Sequence, residues 1–177
     1  YGGSDDDDNS GTLSYVRVWH GGAVIGADNE IHGLPFAGVG SGTTVDHIEV
    51  AFNLDDGIEF FGGSVNVKYA SVIFVGDDSI DTDLGYTGKI QFAFVLIGQD
   101  GHHGTEMDSK YDGTPRSFPQ MYNALFVSQR SQPVASVSTD DTSLAVLRLR
   151  EGTGGEFGNI ILTNLVSTVQ AVYTNEC

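Results

Sequence analysis

The sequence has few cysteines, few basic residues and no long apolar run, and each shortage excludes a class of protein. Cys177, the last of 177 residues, is the only cysteine, so disulfide bonds within the chain cannot stabilise the fold. Lysine and arginine total 8 against 24 acids, a formal net charge of −16, so we expect no nucleic acid partner. No apolar run approaches the ~18 residues of a spanning helix, so we expect no membrane insertion.

Helical periodicity is also missing, which leaves β structure as the organising pattern. Glycine is frequent, at 24 residues, and no stretch keeps apolar side chains at the i, i+3, i+4 and i+7 spacing of an amphipathic helix. Short runs of β-branched and aromatic residues alternate with turns rich in Gly, Asp, Asn and Ser. We predict strands at residues 13–18, 44–52, 65–74, 89–97, 121–127, 144–150 and 159–166.

An acidic repeat indicates how these strands are arranged. The segment "NLDDGIEFFGG" (53–63) recurs 22 residues later as "VGDDSIDTDLG" (75–85), and a weaker third copy places Thr105 and Glu106 at the same positions. A β-rich period near 22 residues suits one coil of a parallel β-helix, with like residues stacked at ~4.8 Å. We predict an all-β, single-stranded parallel β-helix (solenoid) of about eight coils, with a β-sandwich as the structural alternative. One domain should span residues 1–177 as a piece of a longer secreted protein.

The acids of the repeat have three interpretations. They can bind calcium through several hard oxygen ligands, accept backbone N–H groups at turns, or serve in catalysis. Stacked like charges repel, so a cation should lie beside them, and Lys68 and Lys89 are alternatives to calcium. We expect the acids at a corner of the coil, with Ile58 and Ile80 facing inward. The candidate calcium ligands are Asp55, Asp56, Glu59, Asp77, Asp78, Asp81 and Asp83.

Other chemistry-bearing residues have a structural interpretation beside the functional one. His102 and His103 can join nearby acids in a transition-metal site, but an exposed loop pair is the simpler prediction. Arg148 and Arg150 alternate beside Glu151, which indicates an outward strand face with an ion pair. The aromatic residues of the repeat region can form a sugar-stacking platform, but stacking in the core is the simpler prediction. That set is Phe60, Phe61, Tyr69, Phe74, Tyr86, Phe92 and Phe94.

Five segments resemble a known family: "SGTLSYVRVWHGG", "DNEIHGLPFAGVGSGTTVDHIEVAFNLDDGIEFFGGSVNVKY", "GDDSIDTDLGYTGKIQF", "HGTEMDSK" and "LRLREGTGGEFGNIIL". Across roughly residues 2–165 the chain is similar to secreted right-handed parallel β-helix proteins. This family includes mastigoneme proteins, the subunits of tubular flagellar hairs in stramenopile algae and water moulds. The resemblance implies a right-handed β-helix that is extracellular and polymerises, and it implies no catalytic residues.

Two functional hypotheses follow from different classes. The first is a structural extracellular filament subunit such as a flagellar hair protein, because a solenoid with open ends invites end-to-end pairing. It makes the protein a non-enzyme at the cell surface, with copies of itself as partners, no required cofactor, and calcium as the expected cation if one is bound. The second is a carbohydrate-active enzyme, a polysaccharide lyase or hydrolase, or a calcium-dependent sugar-binding protein, with a glycan as partner.

Overall fold

The computed structural model describes residues 4–26, 29–110, 112–130 and 144–175, and Cys177 lies outside them. Within these ranges the chain forms strands and turns, and no described segment is a helix that could cross a membrane. The strands are β1 (Thr12–Trp19), β2 (Ala23–Gly26), β3 (Asn29–Ile31), β4 (Leu34–Ala37), β5 (Thr44–Ala51), β6 (Ile58–Phe61), β7 (Asn66–Ile73), β8 (Ile80–Asp83), β9 (Lys89–Ile97), β10 (Thr105–Met107), β11 (Gln120–Ser128), β12 (Ala145–Leu149), β13 (Glu156–Thr163) and β14 (Gln170–Thr174).

Two stacked sheets form the solenoid. Sheet 1 has the order β1-β5-β7-β9-β11-β13 and sheet 2 the order β4-β6-β8-β10-β12-β14. The chain alternates between the sheets, and every neighbouring pair within them is parallel. Strands β2 and β3 form a separate antiparallel hairpin between β1 and β4. The predicted parallel β-helix is therefore confirmed.

The described residues form six coils, fewer than the eight that the period of 22 residues suggested. That period holds between β5 and β7, where Thr44 pairs with Asn66. Other coils are longer, because more residues separate their paired positions: Thr12 pairs with Thr44, and Gln120 pairs with Glu156. The extra residues leave the stacked strands unchanged and lengthen only the connections between them.

The core is a set of stacked apolar columns. On sheet 1, Val50, Val72, Val95 and Phe126 occupy equivalent positions in successive strands, and each is fully buried. On sheet 2, Ile58 and Ile80 pair directly and both face inward, as predicted. Because side chains alternate along a strand, the residue after each of these isoleucines faces outward. This alternation places a column of polar side chains on the outer face of sheet 2.

All seven predicted strands exist, but the short strands of sheet 2 were mostly missed. Residues 58–61 and 80–83 form β6 and β8, so Glu59, Asp81 and Asp83 lie on strands. The prediction that all the acids occupy a corner is therefore wrong for these three, although Asp55 and Asp56 do precede β6. The four-residue strands are too short to show a clear period of two, which explains the error.

The aromatic residues divide between core and surface. Phe36, Phe60 and Tyr86 stack inside the solenoid, with ring centroids 5.3 and 4.3 Å apart. Tyr69 and Phe92 also stack, at 5.0 Å, but on the outer face of sheet 1, where they are 47% and 41% exposed. The predicted core stacking is thus right for Phe60 and Tyr86, and wrong for the outer pair.

Candidate functional site

The outer face of sheet 2 carries a column of charged side chains. The parallel register aligns Glu59 of β6 with Asp81 of β8, Glu106 of β10 and Arg148 of β12. Residues aligned in this way lie one strand spacing apart, ~4.8 Å. The third repeat copy, predicted at Thr105 and Glu106, is confirmed, since these residues pair with Ile80 and Asp81. The repeat therefore places three carboxylates and one guanidinium in line.

A second column stands at the corner that precedes sheet 2. The carboxylate of Asp56 accepts the backbone N–H of Asp78 at 2.9 Å, and the carboxylate of Asp78 accepts the backbone N–H of His103 at 2.6 Å. Each corner acid thereby holds the next coil in place. This bonding supports the interpretation that the acids accept backbone N–H groups, at least for these two residues.

The two columns border one groove of about 1030 Å³. The hairpin β2–β3 contributes Val24, Asn29 and Glu30 to its lining, and His32 follows from the segment before β4. Six of the seven predicted acids line this groove: Asp55, Asp56, Glu59, Asp77, Asp78 and Asp81. Asp83 is not among the lining residues, and its carboxylate accepts the N–H of Leu84 at 2.5 Å.

His32 is clamped between two carboxylates at one end of the groove. Its Nδ1 lies 2.7 Å from Asp55 Oδ2, and its Nε2 lies 2.8 Å from Glu59 Oε2. The close carboxylates of Asp55, then of Asp56 and Glu59, raise the pKa of His32 to about 12. The ring is therefore an imidazolium at neutral pH. Sequence reasoning missed this residue because His32 lies outside the acidic repeat.

Asp78 is held ionised at the centre of the site. Burial opposes its ionisation, but the charge of His103 and hydrogen bonds from its ring outweigh burial and lower the pKa of Asp78 to about 2. The His103 Nδ1 lies 2.9 Å from Asp78 Oδ1, and the His103 side chain is fully buried. His102 Nδ1 lies 3.3 Å from Asp77 Oδ1. The prediction of an exposed histidine loop pair is therefore wrong.

Asp56 has the opposite electrostatic environment. Burial raises its pKa well above the usual range, and the nearby His32 ring, 3.6 Å away, only partly offsets that effect. The negative charges of Asp78 and Asp77 raise it further. Asp56, Asp77 and Asp78 each offer an oxygen within 4.8 Å of the others. A carboxyl group with a raised pKa and one with a lowered pKa thus lie side by side, an arrangement typical of acid–base catalysis.

Acids and arginines alternate at the other end of the groove. Arg148 Nη1 donates to Glu106 Oε1 at 2.8 Å, and Arg150 Nε donates to Asp108 Oδ2 at 2.5 Å. Burial raises the pKa of Asp108 to about 7, with the charge of Glu106 adding to that effect. Arg148 is only 4% exposed. Arg148 lies on the outer face of sheet 2 and forms an ion pair, as predicted, but its partner is Glu106 instead of Glu151, because β12 stacks on β10.

The predicted lysine partners of the acids are not at this site. Lys68 lies on β7 and Lys89 on β9, and both strands belong to sheet 1. The acids of the repeat face outward from sheet 2 or from the corner before it. Lys68 pairs in register with Asp46 and Gln91 instead. These lysines therefore do not neutralise the acidic column.

Within the described ranges, three groups of side chains have the geometry to hold a metal ion. Asp56, Asp77 and Asp78 offer only oxygen, the ligand that calcium prefers. The group of Asp78, His102 and His103, and the group of His32, Asp56 and Glu59, mix nitrogen with oxygen, which suits a transition metal. Calcium binding by the predicted acids stays a prediction. Of these acids, Asp56, Asp77 and Asp78 form the group whose geometry best suits a calcium ion.

Comparison with known families agrees with the fold. Residues 1–176 match the model of a pectate-lyase like beta helix domain. The chain belongs to this β-helix family. No curated protein and no solved structure matches it. Membership in the family is compatible with a structural or a carbohydrate-active role for this β-helix domain, and the link to mastigoneme proteins stays a prediction.

Proposed function

We propose that this β-helix protein hydrolyses glycosidic bonds of a polysaccharide lying in the groove of sheet 2. The observation that carries the proposal is the neighbouring pair Asp56 and Asp78, whose pKa values are displaced in opposite directions. Glycoside hydrolases need one carboxyl group that donates a proton and a second that is ionised. The groove supports the second hypothesis of the sequence analysis more strongly than the first.

Each carboxyl has a defined task in this reaction. Asp56 donates its proton to the leaving glycosidic oxygen while a carboxylate oxygen of Asp78 bonds to the anomeric carbon, and the glycosidic C–O bond breaks. Water then attacks the anomeric carbon, gives a proton back to Asp56 and releases Asp78, so the net change is the addition of one water. One oxygen of each group lies within 4.8 Å of the other, so this oxygen pair is no farther apart than the ~5–5.5 Å between the carboxyl groups of hydrolases that retain anomeric configuration.

The free energy that ionisation of the buried acids costs the folded protein also favours a catalytic role over a purely structural one. Burial raises the pKa of Asp56, Glu59, Asp81 and Glu106, which means that the fold is penalised when these groups ionise. Groups kept in such an environment are typical of functional sites. The family description names pectate lyase, an enzyme acting on a polysaccharide, and this supports a carbohydrate substrate.

The test is release of reducing ends from a panel of polysaccharides. We expect Asp56→Asn and Asp78→Asn to lower the rate at least ~100-fold, because each removes one half of the acid–base pair. Asp46→Asn is the matched control: Asp46 lies 2.9 Å from His47, as Asp78 does from His103, but on sheet 1. Folded variants of Asp56 and Asp78 that keep full activity, or a panel that is not cleaved at all, would overturn the proposal.

A filament subunit remains the second candidate, because the end strands carry exposed apolar side chains. Tyr15 and Trp19 on β1 are 78% and 50% exposed, and Ile161 on β13 is 60% exposed. Open strand edges pair readily with another β element, which would join copies end to end outside the cell. Electron microscopy at high protein concentration tests this: fibres with a repeat of one domain support it, and single particles under all conditions refute it.

A further inference from the structure

We propose that the polysaccharide bound by the groove carries free amino groups, whose ammonium ions face the carboxylates of the groove. This inference rests on the proposed hydrolase function and names its substrate class. A polymer of uronic acids, the substrate that the family description suggests, would bring negative charge to the same surface.

The first observation is the charge of the groove lining. Two cationic side chains line it, His32 and Arg150, against eight acidic side chains. The protein as a whole has a net charge of −16, so the surrounding field does not reverse this sign. The eight are Glu30, Asp55, Asp56, Glu59, Asp77, Asp78, Asp81 and Glu106.

The second observation is that both cations are already engaged. His32 is held between Asp55 and Glu59 at 2.7 and 2.8 Å. Arg150 lies 2.5 Å from Asp108 and 3.5 Å from Glu106. A uronate carboxylate would therefore have to break one of these pairs to gain a cationic partner. It would also place another negative charge beside the ionised Asp78.

The third observation is a buried oxygen at the centre of the groove. Asp81 Oδ1 is shielded from solvent and has no hydrogen-bond partner among the described residues. Asp81 lies in register between Glu59 and Glu106, one strand spacing from each. An ammonium group offers three donors and a positive charge, so it supplies what this column of carboxyl groups lacks. The neutral hydroxyl groups of an ordinary glycan supply no such charge.

A divalent metal ion is the other source of positive charge for the same carboxylates. With a metal bound, a polyuronate could bind through that ion instead. The two sources are separable, because an amino-sugar ligand binds in the presence of a chelator and a metal-bridged uronate does not.

The experiment is calorimetric titration with three matched oligosaccharides: glucosamine, N-acetylglucosamine and galacturonate oligomers. Titrations are run at about pH 5, where amino groups are protonated, with EDTA and separately with added calcium. We expect glucosamine oligomers to bind at least ~10-fold tighter than the acetylated ones, and this preference to shrink with salt. Galacturonate oligomers that bind as tightly as glucosamine oligomers, with or without calcium, would overturn the inference.

A substitution tests the role of the column that contains Glu59, Asp81 and Glu106. Asp81→Asn should reduce the preference for glucosamine over acetylated oligomers by about tenfold, through a loss of affinity for the glucosamine oligomers. Asp46→Asn on sheet 1 is the control and should change neither affinity. An unaltered preference in Asp81→Asn would contradict the inference. Tight binding of glucosamine oligomers without cleavage of any polysaccharide would reject the hydrolase function and keep this inference. Cleavage of galacturonate polymers would support the hydrolase function and reject this inference.

Discussion

The substitution Asp78→Asn should destabilise the fold by removing one negative charge and little else. Asparagine has nearly the same shape, and its Oδ1 can still accept the backbone N–H and the ring Nδ1 of His103, which lie 2.6 and 2.9 Å from the aspartate oxygen. What is lost is the attraction between the carboxylate and His103. The variant therefore isolates the electrostatic term in this buried pair.

The expected magnitude follows from the pKa of Asp78. That pKa is lowered from 3.8 to about 2, with the charge of His103 overcoming burial. At about 1.4 kcal/mol per pH unit, the ionised group stabilises the folded state by roughly 2–3 kcal/mol at neutral pH. Because the folded pKa is the lower one, this contribution is present above pH 3.8 and is lost as the pH falls through about 2.

Urea denaturation of wild type and variant across pH measures this contribution. We expect Asp78→Asn to lose ~2–3 kcal/mol of unfolding free energy at neutral pH, and only about half as much near pH 3. Asp77→Asn is the control, because Asp77 is adjacent but its side chain is 50% exposed, and it should lose less than ~1 kcal/mol. Equal stability of wild type and Asp78→Asn at neutral pH would refute the ion-pair reasoning.

Three further predictions concern stability. Arg148→Met should cost up to ~3–5 kcal/mol in urea unfolding, because it removes the guanidinium 2.8 Å from the mostly buried Glu106 and leaves only Arg150, at 3.5 Å, beside it; a loss under ~1 kcal/mol would contradict this. Gly57→Ala should lower the melting temperature by several degrees, since its Cβ would lie 2.4 Å from Val72 Cγ1; an unchanged melting temperature would show that the corner can relax. Asp108, whose pKa burial raises from 3.8 to about 7, should contribute ~4 kcal/mol of stability below pH 3.8 that is lost as the pH rises through about 7. Asp108→Asn should flatten this decline, and a pH profile unchanged by the substitution would count against it.

The repeat made much of the fold predictable. Asp55 and Asp56 recur as Asp77 and Asp78 after 22 residues, and stacked coils give such a period to a β-rich chain. The long strands of sheet 1 have eight or nine residues, and their buried positions recur mostly at intervals of two or three, which is enough to be recognised. The short strands of sheet 2 carry the site, and three or four residues do not establish a period.

Only the acids of the site were predictable from the sequence, because the residues that pair with these acids lie outside the repeat. His32 is not part of the acidic pattern, and Arg148 follows Glu106 by 42 residues, an interval with no counterpart among the other coils. His103 corresponds to Asp78 one coil later, so the register does carry a signal for it. That signal was obscured because the interval is 25 residues instead of 22.

The sequence by itself determined the class of fold, the inward direction of Ile58 and Ile80, and the presence of an acidic face. It did so because alternation and period are local properties of the chain. Only the tertiary structure decided that six of the acids share one groove and that His32 and His103 join it. The same structure places the lysines on the opposite sheet. The number of residues between the strands of each coil sets the register of the stacked strands. That register determines which residues become neighbours.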